Sequence, residues 1–225
     1  MLNFVEKPIV EEINSYINSI RRDFADKPLN EASVALNPFK QFEIWFEEAV
    51  GAQLLDPYAM NLCTVDKNGC PSVRTVYMRG ISEEGIVFYT NYNSKKAKDI
   101  SANPHVAVNF LWQPLDRQIR MEGIAQKVNA KTSDEYFKNR PRESQIGAWA
   151  SNQSEEIKSR EELIEKVKYY EKKFEGKDVP RPEHWGGFLI KLKKIEFWQG
   201  RPNRLHDRIV YLNQNSSWII KRLNP

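Results

Sequence analysis

Cysteine is scarce in this 225-residue chain: there are two, Cys63 and Cys70, on either side of a predicted hairpin turn. Two thiols make no disulfide framework, and both are read as reduced. Histidine is scarce as well, with three. No Cys-x-x-Cys or His-Glu-x-x-His spacing is present, so no metal site is expected. A Gly-x-Ser-x-Gly elbow is missing, which removes the serine-hydrolase reading. Neither Gly-x-Gly-x-x-Gly nor a P-loop pattern occurs, so a nucleotide cofactor would not be held in a Rossmann or P-loop manner. No apolar run approaches the roughly 20 residues of a membrane span. The opening Met-Leu-Asn-Phe-Val-Glu-Lys-Pro has no basic region followed by an apolar stretch, so a cytoplasmic location is expected. Charge of one sign is not in large excess either. Lysine and arginine total 34 against 30 acids, a net +4 that does not by itself argue for nucleic acid.

What is present suits a packed β-rich protein. Hydrophobic residues are 40% and aromatics 12%, enough for a sizeable core. Ile9, Ile13, Tyr16, Ile17, Ile20 and Phe24 recur at helical spacing, and a polar linker follows to about Leu36. Asn37 as N-cap and Pro38 at the first position begin a second helix, with Phe42, Trp45, Phe46, Ala49 and Val50 as its apolar stripe. The period then changes to that of strands: 59–66, 71–79 and 86–91, with turns at Lys67-Asn68-Gly69 and around Gly85. Ser94 starts a short helix over 95–102. Strands 105–112 and 117–128 flank a turn at Pro114. Residues 131–174 read as mostly helical, and strands return at 187–198, 204–212 and 217–222. Short hairpins and β-branched runs predict an antiparallel sheet closing into a barrel, a mostly β fold with peripheral helices. Residues 1–36 are read as a helix and linker covering that barrel. Residues 37–225 form one domain with a helical insert at about 131–175.

Several cation groups could carry chemistry. Ser94-Lys95-Lys96 puts two lysines at a helix start, where acids are the usual choice. This is either an anion site, most naturally for phosphate, or a solvated basic turn. In Arg204-Leu205-His206-Asp207-Arg208, strand alternation places Arg204, His206 and Arg208 on one face. That is either an anion-binding face or a charged edge that prevents aggregation. Arg74 and Arg79 sit five apart, so they meet one ligand only if a bulge or strand end re-aims one. Arg140 to Gln145 is a surface connector or a second basic wall. Trp185 and Trp198 could cover a flat ring or simply fill the core. His105 and His184 are read as structural.

The stretches 74–79 (RTVYMR), 86–96 (IVFYTNYNSKK), 140–154 (RPRESQIGAWASNQS), 184–188 (HWGGF) and 195–208 (IEFWQGRPNRLHDR) resemble the pyridoxine/pyridoxamine 5′-phosphate oxidase family. The resemblance runs from about Arg21 to Pro225. It implies an FMN-binding split β-barrel of antiparallel Greek-key type, working as a homodimer with FMN at the subunit interface. It implies that Arg74, Arg79, Tyr89, Thr90, Lys95 and Lys96 bind FMN from one subunit. Gln118, Gln153, Ser154, Trp198 and Arg208 would complete that site, several from the other subunit. Tyr136, Arg140 and Ser144 would hold the substrate phosphate, with Arg79 nearby, and Arg204 and His206 would orient the pyridine ring. The implied reaction turns pyridoxine or pyridoxamine 5′-phosphate into pyridoxal 5′-phosphate, by hydride transfer to FMN and with dioxygen giving hydrogen peroxide. Arginine at 79 replaces the family's common lysine, and Phe24 stands where some members have tyrosine. A split-barrel FMN or haem binder without activity would share the early strands but not need Arg204 and His206. A barrel for single-stranded nucleic acid would need aromatics among cations along a long track, whereas these cations form small nests.

Overall fold

The computed structural model describes residues 9–20, 22–215 and 217–225. Its β-branched and aromatic runs form β1 (Ala59–Val65), β2 (Pro71–Tyr77), β3 (Gly80–Ser82), β4 (Gly85–Asn91), β5 (His105–Trp112), β6 (Arg117–Lys127), β7 (Trp185–Gln199), β8 (Asp207–Gln214) and β9 (Ser217–Leu223). The helices are α1 (Ile9–Ser19), α2 (Pro38–Gly51), α3 (Lys95–Ala102), α4 (Ala130–Lys138), α5 (Arg142–Ala150) and α6 (Arg160–Lys173). Tight turns join the early strands. Between β1 and β2, Asp66 Oδ1 accepts from the backbone N–H groups of Asn68 and Cys70. Gly69 there takes φ +83°, a region that costs glycine little.

Every strand pairing is antiparallel, in the order β2-β1-β5-β6-β7-β4-β3, with β8 added to β7 and β9 to β8. β7 is the strand the sheet divides on. One edge pairs with β6 along its length, while the other pairs first with β4 (Trp185–Ile190) and then with β8 (Lys194–Gln199). The sheet curls into a split half-barrel. Met78 N donates to Tyr58 O and Arg79 N to Val87 O, so the chain leaving β2 bridges toward β4. The β6–β7 register shifts at Glu122/Gly123, and a Cβ on Gly123 would collide with Lys191 O. A bulge there needs a residue without a side chain.

The barrel interior is apolar and fully closed off: Phe110, Ile119, Phe197, Ile209 and Tyr211 are each 0% exposed. α2 seals one end. Asn37 Oδ1 accepts from Phe39 N at 2.8 Å and Pro38 begins the helix, as its capping pattern predicts. Trp45 then meets Phe197 edge-on at 5.1 Å, and Phe42 meets Phe110 at 5.4 Å. The insert is three helices, α4 to α6, around a second small core of Phe137, Ile146, Phe174, Val179 and Trp185.

Three expectations need correction. α1 stops at Ser19, so Phe24 is not on it. Residues 22–31 instead run as a strap, tied by Leu29 N to Asp207 Oδ2 and by Arg222 to Leu29 O and Glu31. Ile13, Tyr16, Ile17 and Ile20 are exposed; Arg21 and the side chain of Ile9 lie outside the described residues. β2 ends at Tyr77, not at 79. The predicted strand 204–212 begins only at Asp207. Pro202–Arg204 form a short 3-10 turn in which Asn203 (φ 56°) and Arg204 (φ 62°) are left-handed. Proline fixes its φ, and Arg201 N donates to His206 Nδ1 at 3.1 Å, closing the loop before the strand starts. Arg204, His206 and Arg208 therefore do not share a strand face.

The bulge gives a direct test of this register. Gly123→Ala is expected to destabilise the chain by about 1–3 kcal/mol through the forced overlap with a neighbouring strand's backbone. Gly51→Ala, where an added Cβ meets nothing within 4 Å, is expected to be neutral or slightly stabilising. Urea unfolding midpoints of the two variants check this, and equal midpoints would contradict the register.

Candidate functional site

The end of β2, β4, the start of α3, and helices α4 and α5 surround a cleft of about 900 Å³. β2 supplies Arg74, and because the strand ends at Tyr77, Arg79 turns into the same cleft. This is the strand-end arrangement the spacing of five required. β4 supplies Tyr89, Thr90 and Asn91, and the helices supply Lys96, Tyr136, Arg140 and Ser144, with Gln153 beyond α5. Arg79 also lies over the rings of Tyr77 and Tyr58, at 5.1 and 5.3 Å.

One wall is a stack of parallel aromatic rings. Tyr89 lies on Tyr136 at 3.7 Å and 7°, and on Trp185 at 5.5 Å and 10°. β7 allows this approach because it opens with two glycines. Gly187 pairs with Tyr89, and a Cβ there would stand 2.8 Å from the Tyr89 ring. At Gly186 a Cβ would collide with the Tyr92 hydroxyl, which donates to Gly187 O at 3.1 Å.

The other wall is cationic and short of counter-charge. Lys96 Nζ donates to Gln153 Oε1 (2.9 Å), Thr90 Oγ1 (3.2 Å) and Ser94 Oγ (3.3 Å), all neutral oxygens. Burial, with Arg74 nearby, holds its pKa down to about 8. The Arg140 guanidinium lies 4.6 Å over Trp185, and its Nη1 is buried with no hydrogen-bond partner among the described residues. Burial lowers the pKa of Arg140 and of Arg74 as well, the latter partly offset by Asp99. The Ser94 hydroxyl donates back to Asn91 O and does not cap α3; Ala97 N donates to Ser94 O at 3.1 Å, which leaves the earlier first-turn N–H groups for another acceptor. A depressed lysine, an orphaned guanidinium and an uncapped helix start beside stacked rings fit a flat, phosphorylated ligand. Lys95 sits at the edge, its Nζ 3.0 Å from Asp99. Ser154 follows Gln153 in a left-handed conformation (φ 74°).

The remaining residues singled out in the sequence gather elsewhere. Gln118 pairs with Trp198, and Trp198 with Arg208, across β6, β7 and β8, so all three share the outer face of that sheet. Arg208 is held by Glu196, Nε to Oε1 at 2.9 Å and Nη2 to Oε2 at 3.1 Å, with that carboxylate 2% exposed. The His206 ring lies 4.6 Å from Trp198 and 5.0 Å from Phe24, while Arg204 is exposed. Burial, then Arg204, lowers the His206 pKa. Trp185 and Trp198 stand at opposite ends of β7. Thirteen residues of strand span about 40 Å, so one chain cannot close both tryptophans on one ring.

Sequence reasoning missed Asn91, Asn139 and Ser151 in the cleft. It also missed Asp99 and Thr64 behind it and Glu196 behind Arg208. The Lys95–Asp99 spacing of four on α3 was a readable signal. Nothing local announced Thr64.

Comparison with known proteins agrees with this geometry. Residues 46–173 match the family model described as pyridoxamine 5′-phosphate oxidase. Residues 185–225 match that of the pyridoxine 5′-phosphate oxidase C-terminal dimerisation region. A pyridoxine/pyridoxamine 5′-phosphate oxidase of Rubrobacter xylanophilus is 49% identical over 92% of this chain and 95% of its own length. One of Cytophaga hutchinsonii is 48% identical over 92% and 97%. Among solved structures, PhzG of Burkholderia lata, in complex with tetrahydrophenazine-1-carboxylic acid, overlays with a TM-score of 0.83 at 24% identity, over 89% of this chain and 99% of that one. A pyridoxamine 5′-phosphate oxidase-related, FMN-binding protein of Nostoc punctiforme overlays at 0.68 and 17%, over 85% and 100%. Those two share the fold, and the sequence matches go further: the chain belongs to the pyridoxamine 5′-phosphate oxidase family.

Proposed function

We propose that this protein oxidises pyridoxamine and pyridoxine 5′-phosphate to pyridoxal 5′-phosphate with FMN, at a site built from two copies of the chain. The observation that carries this reading is the division of the site residues. The phosphate-suited cleft lies around the first half of β7, and Gln118, Trp198, His206 and Arg208 lie around the second half. A two-fold dimer lets the second cluster of one copy face the cleft of the other. The family's C-terminal dimerisation region, matched over residues 185–225, carries Trp198, His206 and Arg208 of that second cluster, and Gln118 joins them from β6.

Within this reading, Arg74, Lys95, Lys96 and the α3 start hold the FMN phosphate, with Arg79, Tyr89, Thr90, Gln153 and Ser154 along the cofactor. Gln118, Trp198 and Arg208 of the second copy complete the flavin's surroundings. FMN, when bound, would supply the acceptor for hydride from the carbon that becomes the aldehyde, with dioxygen as the final acceptor giving hydrogen peroxide; with pyridoxamine 5′-phosphate, water would release the nitrogen of the resulting imine as ammonia. Arg140, with Tyr136 and Ser144, binds the substrate phosphate through the guanidinium Nη1, which has no partner among the described residues. Arg204 and His206 lie over the substrate ring. His206 Nδ1 accepts from Arg201 N, so the neutral ring carries its proton on Nε2. In that form it donates a hydrogen bond and does not act as a base, which favours orientation of the ring over proton transfer.

Three outcomes follow. Arg140→Ala should retain flavin but lose about ten- to a hundredfold in kcat/KM for pyridoxamine 5′-phosphate, the value of a charge-assisted hydrogen bond. Steady-state kinetics with flavin-to-protein ratios check this, and loss of flavin would move Arg140 to the cofactor. Co-expressed Arg140→Ala and Arg204→Ala chains should regain about a quarter of wild-type activity, since half the dimers are mixed and each has one intact site. Activity no higher than that of the parent variants would exclude a shared site. FMN affinity should also fall as pH rises above about 8, where free Lys96 loses its proton. A bound phosphate raises that pKa, so the loss approaches tenfold per pH unit between the free and bound values. Flavin fluorescence titrations from pH 7 to 10 read it, and a flat profile would remove Lys96 from the phosphate site.

A further inference from the structure

Behind the cationic wall lies a carboxylate that the proposed chemistry does not use. Asp99, on the inner side of α3, is 5% exposed. Its Oδ2 accepts from Thr64 Oγ1 at 2.7 Å, and its two oxygens take Lys95 Nζ at 3.0 and 3.2 Å. Thr64 is itself fully buried on β1. Arg74 Nη1 donates to the same Thr64 hydroxyl at 2.7 Å and to Leu62 O at 3.3 Å, while Nη2 donates to Ser72 Oγ at 2.6 Å and stands 3.9 Å from Asp99.

A hydroxyl has one proton to give. An ionised Asp99 only accepts, so it draws the Thr64 proton and fixes the hydroxyl's direction. The lone pairs of Thr64 then face Arg74. As a bare charge, Asp99 would repel an anion bound by Arg74, Lys95 and Lys96. As an acceptor, it orders two of these cations before the anion arrives.

We propose that Asp99 is a positioning residue for the flavin phosphate, setting Arg74 through Thr64 and tethering Lys95 beside it. The proposal rests on the FMN reading above. It separates from a simple charge effect by sign. In Asp99→Asn the amide oxygen turns to the cations and its N–H turns to Thr64, so the hydroxyl loses its acceptor and competes with Arg74. Charge alone predicts tighter FMN binding in Asp99→Asn and no change in Thr64→Val. Positioning predicts weaker binding in both, by about ten- to a hundredfold, the value of a hydrogen bond to a charged group.

The test is fluorescence titration of the flavin-free protein with FMN and, separately, with riboflavin, which lacks the phosphate. Both variants should weaken FMN, the preference for FMN over riboflavin should shrink about tenfold, and Thr64→Ser should restore wild-type affinity. Tighter FMN binding by Asp99→Asn, or FMN and riboflavin weakened equally, would overturn the proposal. So would FMN affinity unchanged in both variants, where the wild-type protein binds FMN well. If the wild-type protein binds no FMN, the cofactor reading itself is overturned, and this proposal with it.

Discussion

The antiparallel pairing of β7 with three neighbours is the constraint from which the rest of the molecule follows. One edge of this strand is committed to β6, and the other is divided between β4 and β8. The division sends β4 and β8 to opposite ends of a long strand, which splits the barrel. It also decides where chemistry can occur. The first half of β7 carries two glycines, so Tyr89 and Tyr92 lie against its backbone and the ring wall forms. The second half carries Trp198, facing outward because Phe197 and Ile195 face in, each at 0% exposure. A shift of one residue in this register would turn Trp198 inward and expose the barrel core. The two halves of the proposed site are thus set by one strand, too far apart to meet within one chain.

A second consequence is electrostatic. Arg74, Arg79, Lys96 and Arg140 line one cleft, and the nearest buried carboxylate, Asp99, is occupied by Thr64 and Lys95. Burial of like charges opposes folding, which is what the lowered pKa values of Lys96, Arg74 and Arg140 express. The rest of the fold tolerates this because the barrel core and the second core of the insert are apolar and aromatic-rich. Anions entering the cleft relieve the repulsion and therefore stabilise the folded chain by mass action. The outer cluster is different in kind. Arg208 already has Glu196 and the Asn224 carbonyl, so it is a held donor and not an unmet charge.

How much of this was legible in the sequence depended on whether the deciding contact was local. The α2 cap at Asn37-Pro38, the Asn68-Gly69 turn and the strand periods were readable because neighbours in sequence decide them. Ser94-Lys95-Lys96 stood out as a candidate anion site because two lysines contradict the helix dipole. The Arg74/Arg79 question was correctly posed, but only the point where β2 ends could answer it. The strand drawn through Arg204 and His206 failed because alternation was read across Pro202-Asn203, where a left-handed turn interrupts it. Phe24 was assigned to a helix on periodicity alone, while its ring is claimed by Trp198 and His206, far along the chain. Asp99, Thr64 and Glu196 were missed because a buried acid is recognised by its partners, and those partners lie on other strands. The family resemblance supplied the roles that residue patterns could not.

The central claim is that the cleft and the outer cluster form one flavin site that takes hydride from a phosphorylated pyridine. The most direct measurement is the visible spectrum of the purified protein under anaerobic conditions, before and after addition of pyridoxamine 5′-phosphate. The account predicts a yellow protein with flavin absorbance that bleaches on addition of this substrate and returns when air is admitted. A flavin spectrum that pyridoxamine and pyridoxine 5′-phosphate both leave unchanged would contradict it, and would mark the protein as a flavin binder without this activity.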